Sequence, residues 1–322
     1  GYGKDKRQPA YSRAVSALFQ GRKMMMSRTV KGYLFSILSA VVFGSLPAIA
    51  KLIYAEGLNP LSLVFFRNAL AVPVLFGILR WKKISLRLTR RQAVQLCPIG
   101  LLCGLITPGL LFLSYVYISS GMATTIHFSY PVFVLLGCAL FFRDRITPVR
   151  ALCVLFCTAG ILLFYTPGES ANLFGMAIAF ISGITYAAYI IALYRSCLRE
   201  ISPFLFSFYM CLESAVLLLA GLLLAGQFTL PETALGWFAT LGLAVAASIV
   251  GVVLFQIGVS LIGPQNASIL STFEPITSIT LGVLIYREPF GLKTALGAGL
   301  ILLAVTLLSL AEKRKGSPVA ES

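Results

Sequence analysis

The chain has 322 residues, of which 58% are hydrophobic and only 11% charged, and it carries a net charge of +15. Soluble domains carry about 25% charged residues, so this composition excludes a water-soluble fold and makes lipid the main solvent. A nucleic-acid reader is excluded as well: Lys and Arg fall in short runs between apolar stretches, at Arg80 to Arg91, Arg143 to Arg150 and Lys313 to Lys315, rather than over one basic face.

Residues 1–31 form a basic tail, of which residues 1–26 lack helical apolar periodicity. Met24, Met25 and Met26 are candidate starts, so the segment before them reads as a tag or an extension. A helix crosses the hydrocarbon core with about 20 apolar residues. Such stretches recur at 32–54, 60–80, 92–118, 122–142, 149–166, 175–194, 202–225, 235–262, 266–285 and 291–311, and the third and eighth are long enough to tilt. Turn chemistry separates them, at Asn59 and Pro60, Ser119 to Gly121, Thr147 and Pro148, Thr166 to Gly168, Ser202 and Pro203, and Gly263 and Pro264. Residues 312–322 form a short tail. Alternating through ten spans from a cytoplasmic N-terminus puts nearly all the Lys and Arg on the cytoplasmic side, with Lys51, Arg287 and Lys293 opposite. The expectation is a multi-pass protein of the inner or plasma membrane with both termini cytoplasmic.

The two halves match almost without gaps. A shift of 143 pairs Gly32 with Gly175, Ser39 with Ser182, Pro60 with Pro203 and Phe65 with Phe208; a shift of 144 pairs Pro131 with Pro275 and Arg143 and Asp144 with Arg287 and Glu288. Five spans per half is an odd number, so residues 32–166 and 175–311 read as inverted repeats. The fold class is all-α integral membrane, ten transmembrane helices in two inverted five-helix repeats, the plan of many alternating-access transporters.

Polar groups inside the hydrocarbon are costly and usually face a cavity or each other. Arg67 lies seven residues into its span, roughly 10 Å deep at 1.5 Å per residue, and reads either as an anchor for a substrate carboxylate or phosphate or as a structural ion pair or snorkelling side chain. Pro131 and Pro275 each remove an N–H and free the carbonyl four residues back, at His127 and Ser271, predicting a kink in spans four and nine. His127 and Tyr130, and likewise Ser271 and Glu274, are three apart and should share a helical face. Glu274 is the candidate proton-coupling group. Tyr186 and Tyr189, with Tyr115, offer an aromatic wall, Gln256 is a further polar candidate, and Glu213 faces either Arg67 or lipid-side neighbours. The seven cysteines read as small apolar packing residues. The sequence has no phosphate-binding G-x-x-x-x-G-K-[ST] motif and no metal-ligand set, so no cofactor or metal is expected.

The segments GYLFSILSAVVFGS (32–45), FFRNALAVPVL (65–75), SSGMATTIHFSYPVFVLLGCALFFRDRIT (119–147) and NASILSTFEPITSITLGVLIYREPFGLKTALGAGLILLAV (266–305) resemble the drug/metabolite transporter superfamily, in particular its EamA-type members. Each half carries the proline followed by an acidic residue thirteen positions on, Asp144 and Glu288. The resemblance implies a central cavity between the halves and export or exchange of small organic solutes. The halves depart from each other where Tyr130 answers Glu274 and Arg145 answers Pro289. The expected function is secondary transport, with export of amino acids or related metabolites by alternating access. The alternatives are a passive channel and an intramembrane lipid-modifying enzyme, and scattered acids with one histidine do not supply the catalytic set that the latter needs. The expected partners are a small-molecule solute and the bilayer, with no nucleic acid; a homodimer is allowed.

Overall fold

A computed structural model describes residues 28–142, 148–163, 170–262 and 270–315. The Arg143 and Asp144 pair of the first repeat lies outside them. Thirteen α-helices make ten passes: α1 (Arg28–Ala55), α2 (Pro60–Trp81), α3 (Arg90–Leu101) with α4 (Thr107–Tyr117), α5 (Ser120–His127) with α6 (Tyr130–Phe142), α7 (Pro148–Leu163), α8 (Ser170–Arg195), α9 (Pro203–Leu224), α10 (Ala234–Val245) with α11 (Val252–Ile262), α12 (Phe273–Tyr286) and α13 (Leu292–Lys315). Among the described residues six of the passes, including the third and eighth with their two helices joined end to end, are long and apolar enough to cross a membrane. Shorter apolar helices are Ala151–Leu163, Phe273–Tyr286 and Leu292–Leu307, and of these Phe273–Tyr286 begins after a break within its pass.

Local chemistry sets the helix ends. Asn59 caps α2 by accepting the Ser62 N–H, and Pro60 takes the first turn, where an N–H is not needed. Thr89 and Gln92 form a capping box on α3. Ser119 and Thr233 cap α5 and α10. Arg287 closes α12 in the left-handed region at φ 52°, with the Glu288 N–H reaching back to the Gly282 carbonyl.

The third and eighth passes are long because each holds a π-helical segment, Leu102–Ile106 and Ala246–Gly251, whose first residues are 144 apart. The repeat offset read from the sequence therefore recurs in the backbone. A π turn widens the helix and disturbs its ladder of backbone bonds. In both cases a polar side chain from a neighbouring helix serves a carbonyl of that segment. Asn68 Nδ2 donates to the Gly104 carbonyl at 2.8 Å, and Ser39 Oγ donates to the Gly251 carbonyl at 2.8 Å.

The two repeats interlock. Helix α1 packs on α11 and α12 of the second repeat, and α8, which starts the second repeat, packs on α4, α5 and α6 of the first. Helices α2 and α9 pair, as do α7 and α13. Lipid supplies no hydrophobic drive between helices, so close approach through small residues carries these contacts. Gly44 on α1 lies directly against the Glu274 carbonyl and Thr277, and Gly183 on α8 lies against the His127 carbonyl and Phe133. At one end of the bundle Asn59 bonds Thr229 and Gln227, tying the turn after α1 to the loop after α9. At the other end Tyr209 bonds the Leu86 carbonyl and Gln95 bonds the Cys197 amide. The basic turn after α2 and the described ends of α1 and α13 share that second end.

Candidate functional site

The break in the fourth pass positions the site. Helix α5 ends at His127, Phe128 and Ser129 form a turn, and α6 begins at Tyr130. Helix α12 likewise begins just after a turn at Ser271 and Thr272. Pro131 and Pro275 thus sit in the first turns of new helices, not at kinks within continuous ones. Proline is tolerated in that position because the N–H there has no intrahelical partner. This corrects the expected shared faces: His127 and Tyr130 belong to different helices, and Ser271 precedes α12. Proximity survives in another form, with the His127 and Tyr130 rings 6.0 Å apart and the Glu274 N–H donating to the Ser271 carbonyl at 2.9 Å.

His127 is buried, and its Nδ1 lies 2.9 Å from Ser182 Oγ on α8. Ser182 has one hydroxyl proton, and it goes to the Ala179 carbonyl at 2.6 Å. This network assigns the proton of a neutral His127 to Nδ1 and leaves Nε2 as an acceptor. From His127 an aromatic row runs across four helices, α5, α6, α8 and α9. Its ring is 5.4 Å from Tyr186, Tyr186 is 4.8 Å from Tyr130 and 5.5 Å from Tyr189, and Tyr189 stacks on Phe206 at 6.2 Å. Beside the row, Thr107 and Thr185 join α4 to α8 at 2.9 Å. Ser278 on α12 donates to Thr124 on α5 at 3.2 Å, and Tyr115 lies 3.5 Å from the same hydroxyl.

Two charged residues flank these rings. Cys103 and Cys211 lie within Coulombic range of Arg67, Tyr130 within range of Glu274, and Tyr115 and Tyr186 within range of both. The Arg67 Nε is buried without a hydrogen-bond partner. Among the described residues neither Arg67 nor Glu274 has an ion-pair partner. Glu213 does not supply one: its Oε1 is buried and unpartnered against Gly100 of α3. The Gln256 side chain lies outside the described residues. The structure therefore brings Arg67, His127, Tyr130, Tyr186, Tyr189 and Glu274 around one region, with Ser271 at its edge.

Sequence reasoning missed a second feature at the end of the bundle away from the described termini. Lys51, the last charged residue of α1, lies 2.5 Å from Glu288 in the turn after α12. The same carboxylate accepts from the Ser120 N–H at 3.1 Å and its hydroxyl at 2.8 Å, at the start of α5. Burial raises the Glu288 carboxyl, but these donors outweigh it and hold it below the ordinary carboxylate range. Beside the pair opens a cavity of about 510 Å³, lined among others by Lys51, Tyr115, Met122, Glu288 and Thr294.

The pattern of the EamA-like transporter family matches this chain twice, over residues 30–166 and 173–310. The chain belongs to the EamA-like transporter family. Its membership in the drug/metabolite transporter superfamily follows. YcbK of Bacillus subtilis, named an uncharacterized transporter, is 26% identical over 292 residues, covering 85% of this chain and 91% of YcbK. YicL of Salmonella typhimurium, named an uncharacterized inner membrane transporter, is 29% identical over 311 residues, covering 90% of this chain and 99% of its own. A solved crystal structure superimposes with a TM-score of 0.63 at 18% identity, covering 89% of this chain and all of that one, and shows a shared fold alone.

Proposed function

We propose that this protein is a secondary transporter that exports amino acids or related zwitterionic metabolites by alternating access, and that it is not an enzyme. One observation carries the reading: a guanidinium and a carboxyl, each without an ion-pair partner among the described residues, flank Tyr115 and Tyr186 in the middle of the bundle. Uncompensated charge in the hydrocarbon is expensive. A solute bringing a carboxylate for Arg67 and an ammonium for Glu274 supplies both missing partners at once. Tyr130, Tyr186 and Tyr189 then offer faces to its side chain, and His127 Nε2 accepts one hydrogen bond. Exchange of the first helices between repeats supports two arrangements of the halves around this site. Glu274 couples the cycle to protons. The protein sits in the cell membrane with both termini cytoplasmic, so the Lys51 and Glu288 end faces outward.

The test is counterflow in proteoliposomes loaded with unlabelled amino acids. Saturable accumulation of labelled solute that depends on internal solute supports the reading and separates it from a passive channel. Flux that is linear in concentration and indifferent to internal solute overturns it.

A further inference from the structure

The cavity beside Lys51 is separate from the aromatic row but shares Tyr115 with the central region. Tyr115 lies within Coulombic range of Arg67 and Glu274 of the central region and of Glu288 of the pair. A solute moving between the centre and this end of the bundle passes that ring and meets the Lys51 and Glu288 pair.

The two members of the pair are not equally available. Glu288 Oε1 already accepts from Lys51 Nζ, from the Ser120 N–H and from the Ser120 hydroxyl. Its other oxygen is turned against Gly282, where a side chain would collide with it. The carboxylate is 9% exposed, whereas the Lys51 side chain is 21% exposed. An ammonium has three donors, and Glu288 takes one. The remaining donors belong to a residue that lines the cavity. Arg287 and Lys293, both exposed, flank Glu288 and Thr294 in sequence and bias the mouth toward positive potential. Ser119 and Thr294 also line the wall.

We propose that this cavity is a second binding site, a weak station for the carboxylate of the solute with Lys51 as its cation. The proposal rests on the zwitterionic reading of the central site. Glu288 holds Lys51 in place and partly cancels its charge. The station thus receives the carboxylate that Arg67 gives up without retaining it, as transit through a path requires.

Labelling of a cysteine placed in the wall tests this in the full-length chain in proteoliposomes. The reporter is Met122→Cys, with Thr294→Cys as a second reporter, and the parent chain labelled in parallel sets the background from its native cysteines. Each is exposed to an anionic and to a cationic membrane-impermeant methanethiosulfonate. The anionic reagent is expected to react faster. Adding Lys51→Gln should lower the anionic-to-cationic rate ratio about fivefold, and Lys51→Arg should preserve it. Millimolar sodium acetate should slow labelling in the Lys51 form, against a sodium chloride control, and not in the Lys51→Gln form. A ratio unmoved by Lys51→Gln, or reporters that react with neither reagent, overturns the station. Labelling does not require flux, so the outcomes separate. Charge-selective labelling without counterflow leaves the station standing and sinks the transport reading, and counterflow with an unmoved ratio does the reverse.

Discussion

Lys51 and Glu288 meet at 2.5 Å although 237 residues separate them. The contact fastens the end of α1 to the turn after α12, and Ser120 ties the same carboxylate to α5. Exposed ion pairs contribute about 0–1 kcal/mol and breaking buried ones costs about 3–5 kcal/mol. This partly exposed pair falls between, so Glu288→Gln should cost about 1–2 kcal/mol near neutral pH. The Glu288 carboxyl is held below its ordinary value of 4.5. A group depressed in the folded state adds stability above its unfolded pKa and loses it as pH falls through the folded one. The melting-temperature difference between parent and Glu288→Gln should stay constant from neutral pH down to about 5 and shrink in stronger acid. A difference that widens on acidification would contradict this assignment.

Asn68 provides a second test, on a feature of the fold. Its amide donates to the Val64 carbonyl at 2.9 Å on its own helix and to Gly104 at 2.8 Å on the next. Asn68→Ala leaves a π-segment carbonyl unserved in a medium without water. Interhelical hydrogen bonds in membranes average about 0.6 kcal/mol and reach about 2. The variant should melt slightly lower, and hydrogen exchange should rise at residues 102–106 before any other buried segment. Unchanged protection there would show that the π turn holds without Asn68.

How far the sequence was legible follows the range of the signal involved. Ten spans and the inverted repeat rest on local apolar length and on a constant offset, and both reappear in ten helical passes and in two π segments 144 apart. The π segments were not legible, because Leu102–Ile106 contains nothing but apolar residues and glycine. Pro131 and Pro275 flagged the broken passes, but a proline marks the start of a new helix as readily as a kink within one. Arg67 and Glu274 stood out as charges in hydrocarbon. Ser182 carried no signal as the partner of His127, since its repeat mate Ser39 serves the Gly251 carbonyl instead. Lys51 and Glu288 could not be joined in advance, since their meeting depends on how α1 crosses into the other repeat.

Arg67 should govern affinity rather than folding. With no ion-pair partner among the described residues, its removal orphans no opposite charge. A hydrogen bond to a charged group contributes about 1.5–3 kcal/mol, which is about tenfold to a hundredfold in the half-saturating concentration. Arg67→Ala should raise that concentration for zwitterionic solutes and spare decarboxylated amines, while the protein purifies and melts as the parent does. Arg67→Lys should recover part of the affinity, since an ammonium keeps the charge but not the planar fork. A variant that fails to accumulate in the membrane would point instead to a structural guanidinium.

Glu274 should govern coupling. It lies in the first turn of α12, its backbone carbonyl rests against Gly44 of α1, and its carboxyl is within Coulombic range of Tyr115, Tyr130 and Tyr186. Helices α1 and α12 come from different repeats, so a proton bound here is felt at a contact that must change when the halves rearrange. Glu274→Gln preserves shape and hydrogen-bonding capacity while removing the exchangeable proton. Counterflow at equal pH on both sides needs no net proton movement and should persist in this variant, at a higher half-saturating concentration because the solute's ammonium loses its anionic partner. Acceleration of net flux by an imposed pH gradient should disappear. If the gradient still drives flux, the coupling proton resides elsewhere, and Glu213, with its unpartnered Oε1 against Gly100, becomes the acid to replace next.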